Sequence, residues 1–294
     1  MEKMPCFSII IPTYNRAGRI GKTIRSLLSQ DCPDFEIIVV DDGSTDNTEE
    51  VVKAFGSKVI YIKKENGERA AARNAGAAAA KGKYINFFDS DDLAYTNHLS
   101  EAKRIILQYN EPEVAVVAYD YQDPQGNIEK QISFSDGRLE EKLVYGNILS
   151  CEGVFLRKDI ADQFPFNEDR ALSATEDYEL WLRLAARFTF RYSNTITHSV
   201  VNHPERSTIN TSMEKLIDRK KLFIHYVFSD DEVVRKFGNH KSRLIADCHT
   251  YIALHLAIIG GHTGDVFIFL FKAFQTFPPV VTTRRFWGSI KNLI

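Results

Sequence analysis

A doubly wound α/β domain, with a mostly parallel central sheet flanked by helices and a helical C-terminal extension, is the fold class the sequence predicts. Three observations carry it. Short β-branched or aromatic runs alternate with stretches of helical periodicity at about 30-residue spacing. The early runs are almost wholly apolar rather than alternating, as required of strands covered by helices on both faces. Clusters of polar and acidic residues follow those runs directly, at the carboxyl ends where such sheets bind ligands.

In chain order, the strand-like runs are Phe7–Ile11, Glu36–Val40, Lys58–Ile62, Tyr84–Phe88 and Val114–Ala118. Between them, Ile20, Ile24, Leu27 and Leu28 share one helical face, and Leu99, Ala102, Ile106 and Tyr109 share another. From about Asp120 the pattern changes. Asp123–Gly126 is a turn, Ser133–Gly137 a loop and Glu152–Leu156 a further strand. A helix is predicted from Glu176, with Leu180, Trp181, Leu184, Ala185 and Phe188 on its apolar face, so Trp181 belongs to the core. Beyond Asn210 the chain reads as mostly helical. The expected organisation is an α/β domain over 1–210, changing character near 120, followed by a helical region over 211–294.

The 294 residues, 44% hydrophobic and 26% charged, suffice for a large core without disulfide or metal support. A formal net charge of −2 argues against nucleic acid as a partner. Cys6, Cys32, Cys151 and Cys248 lie far apart with no C-x-x-C pair, which favours free thiols in a reducing, cytoplasmic compartment. The run after Cys6 is too short for a signal-peptide core and is closed by Pro12. Tyr251–Ile259 and Val266–Phe271 fall well short of the roughly 20 residues that span a bilayer, so no integral membrane segment is expected. The segment Val266–Ile294 carries Lys272, Arg284, Arg285 and Lys291, no acid, and seven aromatics. That composition suits a peripheral membrane interface; a helical cap on the preceding domain is the other reading.

Six clusters could carry chemistry. Pro12-Thr13-Tyr14-Asn15-Arg16 offers an aromatic ring and hydrogen-bonding groups to a nucleotide, or is a turn in which Thr13 or Asn15 caps a helix. Asp41-Asp42-Gly43-Ser44 places two acids after a buried strand, able to accept from a base or ribose. Arg73 and Asn74 interrupt a helix of very small residues; Arg73 could reach a phosphate or the acidic clusters, or lie on the surface. Asp89-Ser90-Asp91-Asp92 would be self-repelling unless a divalent cation, Mg²⁺ or Mn²⁺, is held there. Glu176 and Asp177 open a helix, where acids suit the dipole and one carboxylate could act as a general base. His203, in Val201–Ser207, is either a metal or phosphate ligand or a loop histidine. No Gly-rich dinucleotide or P-loop motif is present.

In this order the motifs resemble the family 2 glycosyltransferases of the inverting GT-A fold. The matching residues are Ser8–Arg16, Val40–Asp46, Arg73-Asn74-Ala75-Gly76, Asp89–Asp92 and Thr175–Tyr178, so the likeness spans roughly residues 5–207. It implies that Pro12, Thr13, Tyr14 and Asp41 hold the base and ribose of a nucleotide-diphosphate sugar, with Asp42 close by and Arg73 near the base or diphosphate. Asn15, Arg16, Asn74 and Ser90 fall in the same nucleotide motifs. Asp89 and Asp91 match the metal-binding D-x-D, extended by Asp92. Asp177 matches the catalytic base, with Glu176 beside it. His203 and Ser207 match a further His-x-x-x-Ser element, here with Pro204 after the histidine.

The resemblance further implies a nucleotide half over 1–120 and an acceptor half over 121–210. Gly146–Phe155 and Phe164–Ala174 are expected to shape the acceptor pocket. A UDP-sugar is the favoured donor, and the acceptor is a saccharide or lipid-linked saccharide of bacterial cell-surface polysaccharide synthesis, on the inner face of the plasma membrane. The Gln-x-x-Arg-Trp sequence of processive polymerases is absent after Asp177, which points to transfer of single sugars. A haloacid-dehalogenase phosphatase would not place Leu93 after Asp92, and a nucleotidyltransferase would open on a Gly-rich basic loop. A non-catalytic nucleotide-sugar-binding relative of the same fold is the alternative.

Overall fold

The structure, a computed structural model, describes residues 5–203 and 212–293. Its sheet starts with β1 (Phe7–Thr13), whose seven residues are all buried. α1 (Ile20–Leu28) leads to β2 (Phe35–Asp41), and α2 (Thr48–Lys53) to β3 (Ile60–Lys63). α3 (Glu68–Ala79) then returns the chain to β4 (Tyr84–Phe87). These four strands are parallel in the order β3-β2-β1-β4, in the register Thr13↔Asp41↔Lys63 and Ile10↔Phe87. Because the register is level, the segments after Thr13, Asp41, Lys63 and Phe87 emerge side by side.

The small residues of α3 serve packing. Ala70, Ala72, Gly76 and Ala77 are buried, and a Cβ at Gly76 would stand 2.3 Å from Ile10 Cγ2. Any larger residue there would lift the helix off the sheet.

After the short β5 (Leu93–Ala94), α4 (His98–Gln108) leads to β6 (Val114–Gln122) and its antiparallel partner β7 (Ile128–Ile132). α5 (Leu139–Lys142) precedes β8 (Val154–Arg157), which inserts antiparallel between β4 and β6. α6 (Lys158–Gln163) and α7 (Glu176–Arg187) follow, and β9 (Phe190–Val201) pairs parallel with β6 and antiparallel with β5. The sheet thus has nine strands, parallel across its first half and mixed beyond β4. The antiparallel insertion of β8 and the long β9 were not apparent from periodicity: the last five positions of β9, Thr197–Val201, are buried in a run rather than alternating.

The C-terminal region is helical, as expected: α8 (Met213–Val227), α9 (Asp231–Phe237), α10 (Lys241–Ile259), α11 (Thr263–Thr276) and α12 (Arg284–Lys291). One hydrophobic cluster runs from Ile10, Val40 and Trp181 into Phe223, Val227, Val233, Phe237 and Leu244. Among the described residues this cluster includes side chains from both sides of residue 210. A second cluster, built on Ile252, Leu256, Phe269 and Leu270, joins α10 to α11. Phe267, Ile268, Phe271 and Phe274 on α11, with Trp287 on α12, remain exposed. Among the described residues no helix is long and apolar enough to cross a membrane, and all four cysteines are free.

Candidate active site

Two cavities open side by side along the carboxyl edge of the sheet. The first, of about 550 Å³, is lined by Pro12–Arg16, Asp42, Asn66, Arg69, Ser90 and Asp91, among others. The second, of about 340 Å³, holds Asp177, Glu152, Asn147 and Tyr121, together with residues of α8, α10 and α12. Arg69 and Asp89 border both.

In the first cavity, Tyr14 is 48% exposed, a ring available for stacking. The Thr13 hydroxyl is buried without a hydrogen-bond partner. The two acids after β2 point different ways. Asp41 is fully buried and accepts from Ser44 N at 2.7 Å and from the Tyr61 hydroxyl at 2.6 Å. It does not line the cavity; Asp42 does, its Oδ1 held by Lys64 Nζ (2.8 Å) and Gly67 N (2.9 Å). Gly43 makes the divergence possible with φ at 84°. Asn15 knits the two loops together, its Oδ1 accepting from Thr45 N at 2.9 Å and its N–H donating to Ser44 Oγ at 2.9 Å.

The strand-end carboxylates converge. Oxygens of Asp89, Asp91 and Asp92 all lie within 4.8 Å of one another. Ser90 carries the bend between them, its carbonyl accepting from Thr23 Oγ1 at 3.1 Å. The Asp91 carboxylate sits 3.0 Å from His203 Nε2 and 3.5 Å from Arg16 Nε. His203 Nδ1 is buried without a partner, so this histidine adjoins the cluster through Asp91. Ser207 lies outside the described residues. Asp92 is the deepest, accepting from Val201 N at 2.8 Å. Burial, then the charges of Glu152, Asp91 and Asp89, push its carboxyl well above the usual range. Hard oxygen donors converging at this spacing fit a divalent cation.

Of the partners the sequence left open to Arg73, a phosphate or the acidic clusters, it reaches the acidic clusters; it does not line the first cavity but borders the second, as does Glu176. Arg73 is 2% exposed and donates from Nη1 to Glu176 Oε1 and from Nη2 to Asp89 Oδ1, both at 2.8 Å. The Phe166 ring lies 5.1 Å from its guanidinium carbon. Despite a desolvation that opposes charge, the surrounding anionic groups hold it protonated. Glu176 is consumed by this contact, by Arg69 at 3.8 Å and by the Thr175 N–H. Asn74 lines neither cavity. Its amide donates to Phe166 O (2.9 Å) and Glu168 Oε1 (2.8 Å) and accepts from Phe166 N, which pins the loop after α6 to α3.

Asp177, the second residue of α7, faces the second cavity. It accepts from its neighbour's N–H at 2.7 Å and from Asn147 Nδ2 at 3.1 Å. Burial first, then the Glu176 charge, push its pKa up to about 6, which keeps a carboxylate basic enough to take a proton near neutrality. Of Gly146–Phe155, the residues Gly146, Asn147 and Leu149–Glu152 border this cavity, whereas of Phe164–Ala174 only Ala174 borders it and Ser173 the other.

Several residues were missed. Glu152, just before β8, accepts from Asp89 N at 3.3 Å, and burial and Asp89 push its pKa upward. A lone acid heading an apolar strand was the available signal. Lys64 and Asn66, which brace Asp42, follow β3 in the same way that the recognised clusters follow their strands. Lys220, Asp247, Tyr251 and Arg285 had no local signal, since helix packing alone brings them to the cavity.

The family model of glycosyl transferase family 2 matches residues 8–163. An uncharacterized glycosyltransferase of Rickettsia prowazekii is 28% identical over 81% of this chain and 77% of its own length. Of three longer rickettsial relatives the chain spans only 35%, 40% and 27%. Among solved structures, S. aureus TarS 1-349 in complex with UDP-GlcNAc superposes with a TM-score of 0.68 at 22% identity, covering 98% of this chain and 89% of that one. A mannosyltransferase of Pyrobaculum calidifontis, in complex with GDP-Man and Mn²⁺, gives 0.61 at 16% identity, over 99% and 86%. At these identities the structural likeness speaks to the fold. With the matched segment running from the first strand through the acidic cluster and beyond β8, the chain belongs to glycosyl transferase family 2 and is a glycosyltransferase.

Proposed function

We propose that the protein moves a single sugar, with inversion, from a nucleotide-diphosphate sugar to an acceptor hydroxyl, and that the donor is a UDP-sugar. The observation that carries this reading is the meeting of two cavities at Asp89. One is lined by the strand-end clusters; the other presents a raised-pKa carboxylate, Asp177, on a rigid helix end.

The Tyr14 ring, the unpartnered Thr13 hydroxyl and Asp42 hold the nucleoside. Asp42, rather than Asp41, takes the base-reading role, because the Asp41 carboxylate is fully engaged inside the fold. Asp89, Asp91 and Asp92 would hold Mn²⁺ or Mg²⁺, with His203 orienting Asp91. When bound, the cation neutralises charge growing on the leaving diphosphate. Asp177 accepts the proton of the acceptor hydroxyl as its oxygen attacks the anomeric carbon on the face opposite the leaving group. The Asn147 amide steers the carboxylate. Such general-base help is worth about 10²–10⁴-fold. Arg73 and Glu176, which line the second cavity, hold the metal-side and base-side walls in fixed relation.

The acceptor is a saccharide or lipid-linked saccharide of bacterial cell-surface glycan synthesis, met on the inner face of the plasma membrane. The exposed aromatics of α11, with Lys272, Arg284 and Lys291 nearby in sequence and no acid after Asp265, support contact with an anionic lipid surface. Co-sedimentation with anionic vesicles that survives Phe267→Ser/Phe271→Ser would count against that contact.

Calorimetric titration of UDP, GDP, dTDP and CMP, each with and without Mn²⁺, tests the donor assignment. UDP binding that requires the metal is the expected result. Metal-dependent binding of another nucleotide would replace the donor, and nucleotide binding without transfer to any glycan would make the protein a non-catalytic relative.

A further inference from the structure

The cavity containing Asp177 has a cation that the reaction as described does not use. Lys220, on α8, lines it together with Asp247 and Tyr251 of α10 and Arg285 of α12. The other cations of this wall are compensated: Arg285 Nη1 pairs with Asp247 Oδ2 at 2.8 Å, and Arg69 lies 3.8 Å from Glu176. Among the described residues no carboxylate stands within ion-pair distance of Lys220; its ammonium lies over the Tyr251 ring at 4.1 Å and the Phe223 ring at 5.9 Å. Two aromatic faces hold such a head group in place and leave its hydrogen-bonding capacity open, since a ring accepts none of the three N–H bonds in the ordinary sense.

We infer that Lys220 is the acceptor-recognition cation of this cavity, and that the acceptor carries an oxyanion, a carboxylate or a phosphate, close to the hydroxyl that is glycosylated. The inference rests on the glycosyl-transfer reading and deepens it. An anion entering beside Lys220 would be drawn by its charge and that of Arg285, and would leave an adjoining hydroxyl to face Asp177. A neutral sugar offers only hydroxyls to a partly desolvated ammonium, which is poor compensation for a charge taken out of water. Burial lowers the Lys220 pKa, helped by the Arg285 and Arg219 charges and opposed by Cys248 and Asp177; an anionic ligand would favour the charged form. Lys220 does not line the nucleotide cavity, so donor binding and acceptor recognition can be read separately.

The test uses three matched probes that differ only at C6: methyl β-glucoside, methyl β-glucuronide and methyl β-glucoside 6-phosphate. Each is titrated into the full chain with UDP and Mn²⁺ present, using ligand-detected NMR. At least one charged probe is expected to bind about ten- to a hundredfold tighter than the glucoside, and which one does so identifies carboxylate or phosphate. Lys220→Met should erase the preference and Lys220→Arg should keep part of it, with UDP affinity unchanged in both. Equal binding of charged and neutral probes, or a preference that survives Lys220→Met, overturns the inference. Should Lys220→Met lose UDP binding through misfolding, the wild-type preference and its dependence on Lys220→Arg decide. Failure of the wild-type chain to bind any nucleotide strikes instead at the glycosyl-transfer reading.

Discussion

Arg73 donates to Glu176 across 103 residues of sequence at 2.8 Å, and with its other terminal nitrogen to Asp89 at the same distance. One guanidinium thus joins the acidic cluster after β4 to the first turn of α7, where Asp177 stands. The acidic cluster and the start of α7 are tied together by this planar fork, packed against Phe166.

Removing that fork leaves two carboxylates facing each other in a buried space. Arg73→Met is expected to lower stability by about 3–5 kcal/mol, measured by urea denaturation. Arg73→Lys should recover only part of it, because an ammonium cannot bridge both partners in parallel. A stable Arg73→Met variant with weakened UDP binding would instead return Arg73 to the nucleotide site.

Asp177 links activity to pH. On the proposed mechanism the base must be ionised, so kcat/KM should climb about tenfold per pH unit below its pKa of about 6 and level off above. Its stability effect has the opposite sense. A carboxyl whose pKa is raised by folding binds its proton more tightly in the native state, so its contribution declines as pH rises from the unfolded value of about 3.9 through 6. Asp177→Asn should therefore lose turnover by at least about a hundredfold, keep UDP affinity, and melt no lower than wild type at pH 7.5. A lower melting temperature together with lost UDP binding would make Asp177 a structural residue.

The neighbours Asp41 and Asp42 should separate cleanly. Asp42→Ala is expected to weaken UDP binding about tenfold or more, the value of a hydrogen bond to a charged group, with a modest change in melting. Asp41→Ala should mainly destabilise, since Ser44 N and the Tyr61 hydroxyl lose their acceptor. Calorimetry and thermal melting on the same samples distinguish the two, and the reverse pattern would restore Asp41 as the base-reading acid.

Asn74→Ala should leave UDP affinity within about twofold while costing about 1–3 kcal/mol of stability, because Phe166 N and O lose their partners. A tenfold loss of UDP affinity without a change in melting would place Asn74 in the nucleotide site after all.

Metal dependence should concentrate on the acidic cluster. Asp91→Asn is expected to abolish the enhancement of UDP binding by Mn²⁺ seen in calorimetry, and EDTA should have no further effect on that variant. His203→Ala should weaken Mn²⁺ binding by about 10–100-fold, as loss of an orienting partner does. Unaltered Mn²⁺ dependence in Asp91→Asn would move the cation elsewhere.

The parallel half of the sheet was legible because its strands are apolar throughout and each is followed by a polar cluster. Sequence adjacency told less about which member of a cluster faces the ligand. Asp41 and Asp42 are indistinguishable in a string, and only the backbone reversal at Gly43 sends one inward and the other outward. For Arg73 the string left a phosphate, the acidic clusters and the surface all open, because an isolated arginine among alanines carries no record of its burial; its carboxylate partners lie 16 and 103 positions away. The same limitation hid Lys220 and Arg285, which owe their place to how α8, α10 and α12 fold back. Trp181 was legible as core because three helical neighbours share its face.

The return of those C-terminal helices over the second cavity bears on which nucleophile the enzyme lets in. Phe223, Leu244 and Tyr251 form part of the wall opposite the sheet, so Asp177 works inside a partly enclosed chamber. Stripped of that wall, the same carboxylate would face bulk solvent, where water outnumbers any sugar hydroxyl and is as readily deprotonated. The donor would then be spent in hydrolysis. On the proposed mechanism, the helices that add no group to the nucleotide cavity are what make the chain a transferase rather than a nucleotide-sugar hydrolase.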